Sequence, residues 1–195
     1  MNFPFEKEIT LENSFACLRP LQFSDIKNLL KIATGDEQLL QYSPVPIFSK
    51  KLLTQYVDTS IKERENKTRY SFSIFDKRKK RYAGSTSFMN ISNVDSRLEI
   101  GSTWIGKEFQ RTGLNRSCKY LLLNFAFDEV GAERVELKTD ERNVSSRKAI
   151  EKIGGQFEGI LRSHTLMFDG FRRNTVYYSI LKNEWDKLRN DFLKE

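Results

Sequence analysis

The chain has 195 residues, 38% of them hydrophobic and 30% charged, which suffices for one sizeable core and is short for two. We therefore predict a single domain over residues 1–195. No apolar run approaches the roughly 20 residues that cross a bilayer. The first ten residues, MNFPFEKEIT, lack the basic and apolar regions of a signal peptide. The sequence thus predicts a cytoplasmic protein with no membrane partner.

Positive charge is in excess, with 33 Lys and Arg residues against 26 Asp and Glu residues and a formal net charge of +7. This balance favours an anionic partner without identifying it. The densest cluster, KRKKR at residues 77–81, lies between two strand-like runs and indicates a solvated hairpin turn. A nucleic-acid site there is the less favoured alternative, because stacking aromatics do not interleave with the bases. We expect no nucleic-acid partner.

The two cysteines, Cys17 and Cys118, stand singly in apolar patterns. Their spacing matches neither a zinc ligand pair nor a disulfide framework. We predict that both are small core residues and that the chain binds no metal.

The first third of the chain predicts a hairpin and two helices. Residues 9–21 are predicted to form a short hairpin with LENS as its turn, because apolar and polar residues alternate after it. Ser24 is predicted to cap a helix in SDIKNLLKIA, and Ser49 to open a second helix that runs to about Glu65. Residues 35–48 contain two prolines and are predicted to form a loop between the two helices.

The remaining residues alternate strands and helices. We predict strands at residues 70–75, 81–91, 97–105, 134–138, 157–168 and 175–181, and helices at residues 113–130, 145–153 and 184–193. The turn DGFRRN joins the last two strands. This order predicts an α/β (α+β) fold of three layers, in which helices cover both faces of a mixed sheet.

The segment EFQRTGLNR, residues 108–116, joins a predicted strand to a predicted helix. A helix start leaves backbone N–H groups unpaired and can bind an anion. Gly113 allows an anion to approach the backbone closely. Four mobile basic residues surround it: Lys107, Arg111, Arg116 and Lys119. One anion here contributes only about 0.3–1 kcal/mol, so tight binding needs further contacts. Plain turn chemistry is the alternative, and the pattern matches neither a Walker loop nor a dinucleotide fingerprint.

The stretch LEIGSTWIGKEFQRTGLN, followed by VELKTDERNVSSRKAIEKIGG, resembles the GNAT superfamily of N-acetyltransferases and specifically its RimJ/RimL-like, ribosomal-protein N-acetyltransferase branch. The resemblance extends over residues 15–181. The family's loop pattern Gln/Arg-x-x-Gly-x-Gly/Ala is matched from Gln110 to Leu114, with Asn115 replacing a small residue and narrowing the space beside the phosphates. The resemblance implies a GNAT fold, with a mostly antiparallel sheet of about seven strands that is splayed in the middle.

The resemblance also implies acetyl-CoA as co-substrate. Backbone amides of residues 111–115 would cradle its pyrophosphate, and a strand edge would pair with its pantetheine arm. The thioester would lie where the strands ending at residue 105 and beginning at residue 134 splay apart. The implied cofactor-binding residues are Trp104, Ile105, Gly106, Gln110, Arg111, Thr112, Gly113, Leu114, Asn115, Arg116, Asn143 and Ser146.

Two residues are candidates for the base that takes a proton from the acceptor amine. Glu99, eleven residues before Gln110, occupies the position of the base in many superfamily members. A solvent-facing glutamate on a half-buried strand is the alternative. His164, the only histidine, could also serve because histidine titrates near neutral pH, although a surface or satisfied interior histidine is the favoured interpretation.

The leaving thiolate requires a hydrogen-bond partner or proton donor. Many GNAT enzymes place a tyrosine seven residues after Asn143, where this chain has Ile150. We therefore predict that Ser146 donates to the sulfur. By resemblance Asn143 hydrogen-bonds the cofactor, and capping of the following helix is a second role for it.

These residues predict transfer of the acetyl group to a primary amine by direct attack in a ternary complex. The acceptor is a ribosomal or other protein N-terminus, or a small-molecule amine, and an α-amine is favoured because its lower pKa frees it more readily than a lysine. The alternative is a non-catalytic module that binds acyl-CoA, a ribosome or RNA. Related proteins often pair, and a homodimer remains open.

Overall fold

The structure, a computed structural model, describes residues 1–193 and contains one sheet of eight strands in the order β1-β2-β3-β4-β5-β6-β8-β7. The strands are β1 (Leu11–Glu12), β2 (Ala16–Pro20), β3 (Arg69–Asp76), β4 (Arg81–Ser92), β5 (Arg97–Ile105), β6 (Arg134–Asp140), β7 (Gln156–Leu166) and β8 (Arg172–Leu181). The helices are α1 (Ile26–Thr34), α2 (Lys50–Glu65), α3 (Leu114–Asn124), α4 (Val144–Lys152) and α5 (Lys182–Leu193).

The sheet is mixed and mostly antiparallel, because only β5 and β6 run parallel. Their ladder extends from the pair Arg97 and Arg134 to the pair Glu99 and Glu136 and then ends. Beyond Glu99 no register pairs join the two strands, and they separate as the family resemblance implied. We call this gap the split. The sheet has eight strands instead of about seven because a two-residue strand, β1, pairs with β2.

Helices cover both faces of the sheet, which confirms the predicted arrangement. On one face, the Tyr56 hydroxyl of α2 lies 3.1 Å from Ser85 Oγ of β4. On the other face, Phe125 at the end of α3 stacks on Phe88 with ring centroids 5.8 Å apart. Phe88 is opposite Ile100 and the next residue, Met89, is opposite Glu99. Since side chains alternate along a strand, Glu99 faces the layer of α1 and α2.

A buried aromatic cluster anchors the face that carries α3. Phe88 contacts Phe3, Phe72 and Phe125 with ring centroids 5.5, 5.7 and 5.8 Å apart, and all four side chains are buried. Truncation of one such buried phenylalanine to alanine typically destabilises a protein by about 3–5 kcal/mol. The cluster therefore fixes α3 against β4 and β5, the strands that lead to the split.

Helix α3 begins after Gly113, whose φ of +86° is a left-handed conformation that favours glycine. The predicted helix continued to residue 130, but after Asn124 the structure widens into a π turn over Phe125–Glu129. The Val130 amide donates to the Phe125 carbonyl at 2.9 Å. This turn lets Phe125 pack on Phe88 while Phe127 stacks on Trp185 of α5.

Local capping and turns differ from prediction at three places. The turn predicted at LENS lies later in the chain, because Leu11 and Glu12 form β1 and residues 13–15 connect it to β2. Ser24 is not a helix cap: it lies inside a 3-10 turn, where the buried Asp25 carboxylate accepts a hydrogen bond from the Gln22 amide at 3.0 Å. The last turn is shorter than DGFRRN, because β8 already begins at Arg172. The predicted cap of α2 is confirmed, since Ser49 Oγ accepts from the Leu52 amide at 3.2 Å.

Of the two cysteines, Cys118 is buried as predicted, whereas Cys17 is only partly buried. Burial raises the pKa of the Cys118 thiol to about 12. Across residues 1–193, none of the helices combines the length and the apolar character needed to cross a membrane.

Candidate active site

The loop between β5 and α3 is held in shape by its own side chains. Gln110 Nε2 donates to the Ile105 carbonyl at 3.0 Å, and Thr112 Oγ1 donates to the Phe109 carbonyl at 2.7 Å. Arg111 and Gly113 both have positive φ values, +58° and +86°. Successive turns of this kind orient backbone amides toward one side of a loop, which makes an anion-binding concavity.

The same loop fits a phosphate group. Within the described residues, the amides of Arg111, Thr112, Gly113 and Asn115 donate to no backbone carbonyl. A Cβ built on Gly113 would meet nothing within 4 Å, so the space above this glycine is open. Unpaired donors and open space at a helix start are what a pyrophosphate requires.

The basic cluster at residues 77–81 is a hairpin turn, but it packs against this loop. Arg78 Nη2 donates to the Thr112 carbonyl at 3.0 Å, and Lys79 Nζ donates to the Glu108 carbonyl at 2.5 Å. Arg81 binds the Glu108 carboxylate through both terminal nitrogens, at 2.9 and 2.8 Å. The sequence motifs did not reveal this contact, although antiparallel pairing of β4 with β5 would have placed the start of β4 beside the end of β5.

The end of β5 offers one free edge to the split. Trp104 and Ile105 pair with Ser85 and Gly84 of β4, and β6 has no register partner for them. Gly106 continues this pairing, with its amide 2.9 Å from the Ala83 carbonyl. Backbone groups on the other edge have no strand partner and could pair with an extended ligand, although the Ile105 carbonyl already accepts from Gln110 Nε2 at 3.0 Å.

Glu99 is buried at the point where the split begins, with 7% of its surface exposed, so the solvent-facing alternative is wrong. Its Oε2 atom accepts from Asn90 Nδ2 at 2.6 Å and from Lys138 Nζ at 2.8 Å. Its Oε1 atom lies over Gly101, where an added Cβ would approach it to 2.8 Å. Within residues 1–193 no hydrogen bond engages Oε1.

Lys138, on β6, was not singled out from the sequence. Burial alone would lower the pKa of this lysine, but the hydrogen bond and charge of Glu99 outweigh burial and raise it. Its ammonium also lies 4.5 Å from the ring centroid of Tyr177. A period-two pattern along β6 could have placed Lys138 on the same face as Glu99.

Asn143 and Ser146 come together at the start of α4. Asn143 Oδ1 accepts from the Ser146 amide at 3.0 Å, which confirms the capping role of Asn143. The side-chain amide nitrogen of Asn143 and the hydroxyl of Ser146 are engaged by no other group in residues 1–193. Ile150 is buried one turn further along α4. Cofactor contacts of Asn143 and Ser146 therefore remain a prediction.

His164 lies on the exposed side of β7. Its Nδ1 is 3.1 Å from Thr175 Oγ1, and its ring centroid is 5.8 Å from that of Tyr177. Tyr177 and Lys138 thus lie between His164 and Glu99. This placement favours the surface interpretation of His164.

Two of the bases expected around Gly113 point elsewhere. Arg116 donates from Nη2 to the Asp191 carbonyl at 3.0 Å and lies 4.9 Å from the ring centroid of Phe192, so it is held by α5. Lys119 is not mobile: it is buried, and its Nζ lies 3.0 Å from Thr103 Oγ1 on β5. Burial lowers the pKa of Lys119 to about 8.

The sequence pattern of the acetyltransferase (GNAT) domain family matches residues 16–156. The chain belongs to the GNAT family. YdaF of Bacillus subtilis (strain 168), whose name proposes a ribosomal N-acetyltransferase, is 37% identical over 103 residues, which are 53% of this chain and 55% of YdaF. The chain therefore matches about half the length of that relative.

Solved GNAT structures share the whole fold. A GCN5-related N-acetyltransferase from Brucella melitensis is 26% identical, with a TM-score of 0.88 over 96% of this chain and 85% of that one. An acetyltransferase structure from T. thermophilus is 28% identical, with a TM-score of 0.88 over 100% of this chain and 98% of that one.

GNAT membership supports an acetyl-CoA-dependent N-acetyltransferase activity, and the name of YdaF agrees with the RimJ/RimL-like branch. GNAT enzymes use acetyl-CoA as the acetyl donor. The loop at residues 108–116 and the split beside Glu99 are thus the candidate active site of a GNAT enzyme. Metal-binding groups of three or more His, Cys, Asp or Glu side chains are not found in residues 1–193.

Proposed function

We propose that this GNAT enzyme transfers the acetyl group of acetyl-CoA to a primary amine by direct attack in a ternary complex. One observation carries the proposal: the buried Glu99 stands where the split begins, and its unengaged Oε1 lies over Gly101 of β5, the strand that leads to the loop with unpaired amides. In residues 1–193, Oε1 is not one of the fully buried side-chain atoms that lack a partner, so this unengaged oxygen is open to a small ligand. Here the ligand is the attacking amine, or a water that relays its proton.

The chain's own groups would bind the donor at three places. The amides of Arg111, Thr112, Gly113 and Asn115 would hold the pyrophosphate. The free edge of β5 at residues 104–106 would pair with the pantetheine arm, and Asn143 Nδ2 would donate near the thioester. When bound, acetyl-CoA supplies an activated acyl group with a thiol as leaving group, and a free cysteine thiol titrates near 8.5.

Glu99 Oε1 would accept the proton that the amine loses, directly or through one water. The amine nitrogen forms a bond to the acyl carbon, and the carbon–sulfur bond breaks. Glu99 releases its proton to water, the thiolate takes a proton from water, and Ser146 would donate a hydrogen bond to the thiolate. Because a thiol is already acidic, a weak donor such as a serine hydroxyl is adequate.

The energetics favour an α-amine as acceptor. An α-amine titrates near 7.7–8.0, so freeing it at neutral pH costs about 1 kcal/mol, whereas a lysine near 10.4 costs roughly 4–5 kcal/mol. Glu99, whose other oxygen is already engaged by Lys138, is a sufficient base for an α-amine. The name of YdaF adds support for a ribosomal-protein N-terminus, and pairing of two chains remains a prediction.

The second function class, a module that binds acyl-CoA, a ribosome or RNA without catalysis, is less favoured. Three bases of the cluster at residues 77–81 are bonded to the loop and are therefore less available to nucleic acid. The buried Glu99 with one unengaged oxygen also has no use in a pure binder.

Two measurements test the proposed function. Acetyl-CoA should raise the melting temperature, because a ligand that binds only the native state stabilises it. Thiol release should then accompany acetylation of at least one amine in a panel of peptides, polyamines, amino sugars and amino acids. A thermal shift without any acetylation would support the binding module, and the absence of both effects would refute the proposal.

A further inference from the structure

A strip of side chains leads from Glu99 across the sheet to β8. Lys138 bridges Glu99 and Tyr177, with its ammonium 2.8 Å from Glu99 Oε2 and 4.5 Å from the Tyr177 ring centroid. Tyr177, Thr175 and Arg173 alternate along β8 and therefore share this face. The hydrogen bond from Arg173 Nε to Thr175 Oγ1, at 3.3 Å, agrees with that placement. Arg173 thus lies on the face of the sheet where the acceptor must approach.

Arg173 carries a charge that no carboxylate balances in the part of the chain described. Its Nη1 donates to the Tyr42 carbonyl at 2.8 Å, and its Nε donates to Thr175; both acceptors are neutral. No Asp or Glu oxygen in residues 1–193 lies within 4.0 Å of its guanidinium. The side chain is nevertheless half-buried, and burial lowers the pKa of Arg173 despite the opposing charges of Asp140 and Glu99.

The neighbouring cations are already paired. Arg142 binds the buried Asp140 carboxylate at 2.7 Å, and Lys138 binds Glu99. Arg142 also lies 3.9 Å from the ring centroid of Phe171, at the rim of the same region. An approaching acceptor therefore meets a net positive charge from Arg173. Such a charge repels polyamines and amino sugars, and it attracts a carboxylate, which a guanidinium can bind with two parallel hydrogen bonds.

We propose that Arg173 binds a carboxylate of the acceptor, so that the acceptor is a peptide N-terminus followed closely by an acidic side chain. This inference rests on the proposed transfer to an amine. Arg173 and Tyr177 stand four positions apart on β8, which places their backbones about 13 Å apart along the strand. The Arg173 guanidinium reaches back toward Thr175, where its Nε donates to Oγ1 at 3.3 Å, so the charge lies closer to Tyr177 than the backbone spacing. An extended peptide with Asp or Glu within its first few residues can span such a separation.

The alternative role of Arg173 is purely structural, since its bond to the Tyr42 carbonyl fixes the loop of residues 35–48. A structural role would affect all acceptors equally. Recognition of a carboxylate changes the ratio between an acidic peptide and its neutral analogue. The test is therefore a specificity ratio and not an absolute rate.

Matched pentapeptides with a free N-terminal alanine and an amidated carboxyl end provide the test. Each carries one Glu or one Gln at the second, third or fourth position and serine elsewhere, so the Glu side chain is the only carboxylate. With saturating acetyl-CoA, we expect kcat/KM of the wild-type protein to be about tenfold higher for Glu than for Gln at one of these positions. Arg173→Gln should reduce that ratio to near one.

Arg172→Gln is the matched control, because Arg172 is exposed and points to the opposite face of β8. It should keep the wild-type ratio. Wild-type ratios near one at all three positions would overturn the inference even if the peptides are acetylated, and so would exclusive acetylation of polyamines or amino sugars. Failure to acetylate any amine would instead reject the proposed transfer itself, and the inference with it. The ratio between Glu and Gln peptides is measured on the wild-type protein, so this part of the test does not depend on the folding of any variant.

Discussion

Lys138 and Glu99 form a buried ion pair across the split, with Lys138 Nζ 2.8 Å from Glu99 Oε2. The pair lies where the ladder between β5 and β6 ends, at the register pair of Glu99 and Glu136. The ion pair therefore connects β5 and β6, which no longer share backbone hydrogen bonds beyond this point. It also divides the carboxylate into an engaged oxygen, Oε2, and an oxygen that can take a proton, Oε1. Loss of Lys138 would leave the buried Glu99 carboxylate without its cation, with the neutral Asn90 side chain as its remaining hydrogen-bond partner in residues 1–193.

Glu99→Gln should lower kcat/KM for an α-amine peptide by about 10- to 100-fold near and below neutral pH, because the amine is then mostly protonated and needs a base. The loss should shrink above pH 8, where more of the amine is neutral. Acetyl-CoA affinity should stay nearly intact, since Glu99 makes no contact with the phosphate loop. The pH-rate profile and a calorimetric Kd provide both readouts.

Glu136→Gln is the control for this variant. Glu136 lies 3.7 Å from the same Lys138 ammonium, but it is on β6 and not at the free edge of the split. The Glu136→Gln substitution removes one negative charge beside Lys138 without removing the proposed base, Glu99. An unchanged pH-rate profile in Glu99→Gln would contradict the role of Glu99.

Gly113→Val should abolish acetyl-CoA binding. A Cβ at this position points into open space, where the branched side chain would occupy the site of the phosphates, and φ is +86°. Gly131→Val is the control for backbone strain, because Gly131 has φ of +75° and equally open surroundings but lies between the π turn and β6. Both variants should lose stability. Normal binding of coenzyme A by Gly113→Val, measured by calorimetry, would show that the cradle is assigned wrongly.

The sequence predicted most of the fold because its apolar periods are regular. The strand at residues 97–105 and the helix cap at Ser49 follow from local patterns that tertiary contacts did not override. The cap at Ser24 failed because the neighbouring Asp25, paired with Arg19, competes for the same turn. The hairpin of residues 9–21 was predicted, but its turn was misplaced because β1 has only two residues and gives no period that would mark where it ends.

The candidate site was only partly predictable. The loop before α3 is contiguous in the chain, so its motif was visible. The partners of Glu99 are not contiguous, since Lys138 comes from a strand that is 39 residues further on. Arg173 depends on the register of β8, which no local pattern reveals. The burial of Lys119 could not be predicted either, because the sequence pattern places this lysine near a phosphate loop, where an exposed base is expected.

Ser146→Ala should lower kcat by about three- to tenfold if its hydroxyl supports the leaving thiolate, because one neutral hydrogen bond contributes about 0.5–1.5 kcal/mol. The cap of α4 should survive, since Asn143 Oδ1 accepts from the backbone amide of residue 146 and not from its side chain. Ser145→Ala, on the exposed side of α4, should have little effect. Equal rates for the wild-type protein and Ser146→Ala under single-turnover conditions would remove Ser146 from the reaction.

Lys119→Met should stabilise the protein at pH 7 by about 1–3 kcal/mol, because methionine fills similar space without a buried charge. Burial lowers the pKa of Lys119 from 10.5 to about 8 in the fold. Between these values the unfolded chain binds more protons than the native protein, so wild-type stability should rise with pH across that window and the advantage of Lys119→Met should shrink. Lys148→Met, at an exposed position of α4, should show no such pH-dependent difference. Urea unfolding at pH 7 and pH 10 measures both variants against the wild-type protein, and a constant difference between the two pH values would mean that the ammonium of Lys119 is not held away from water.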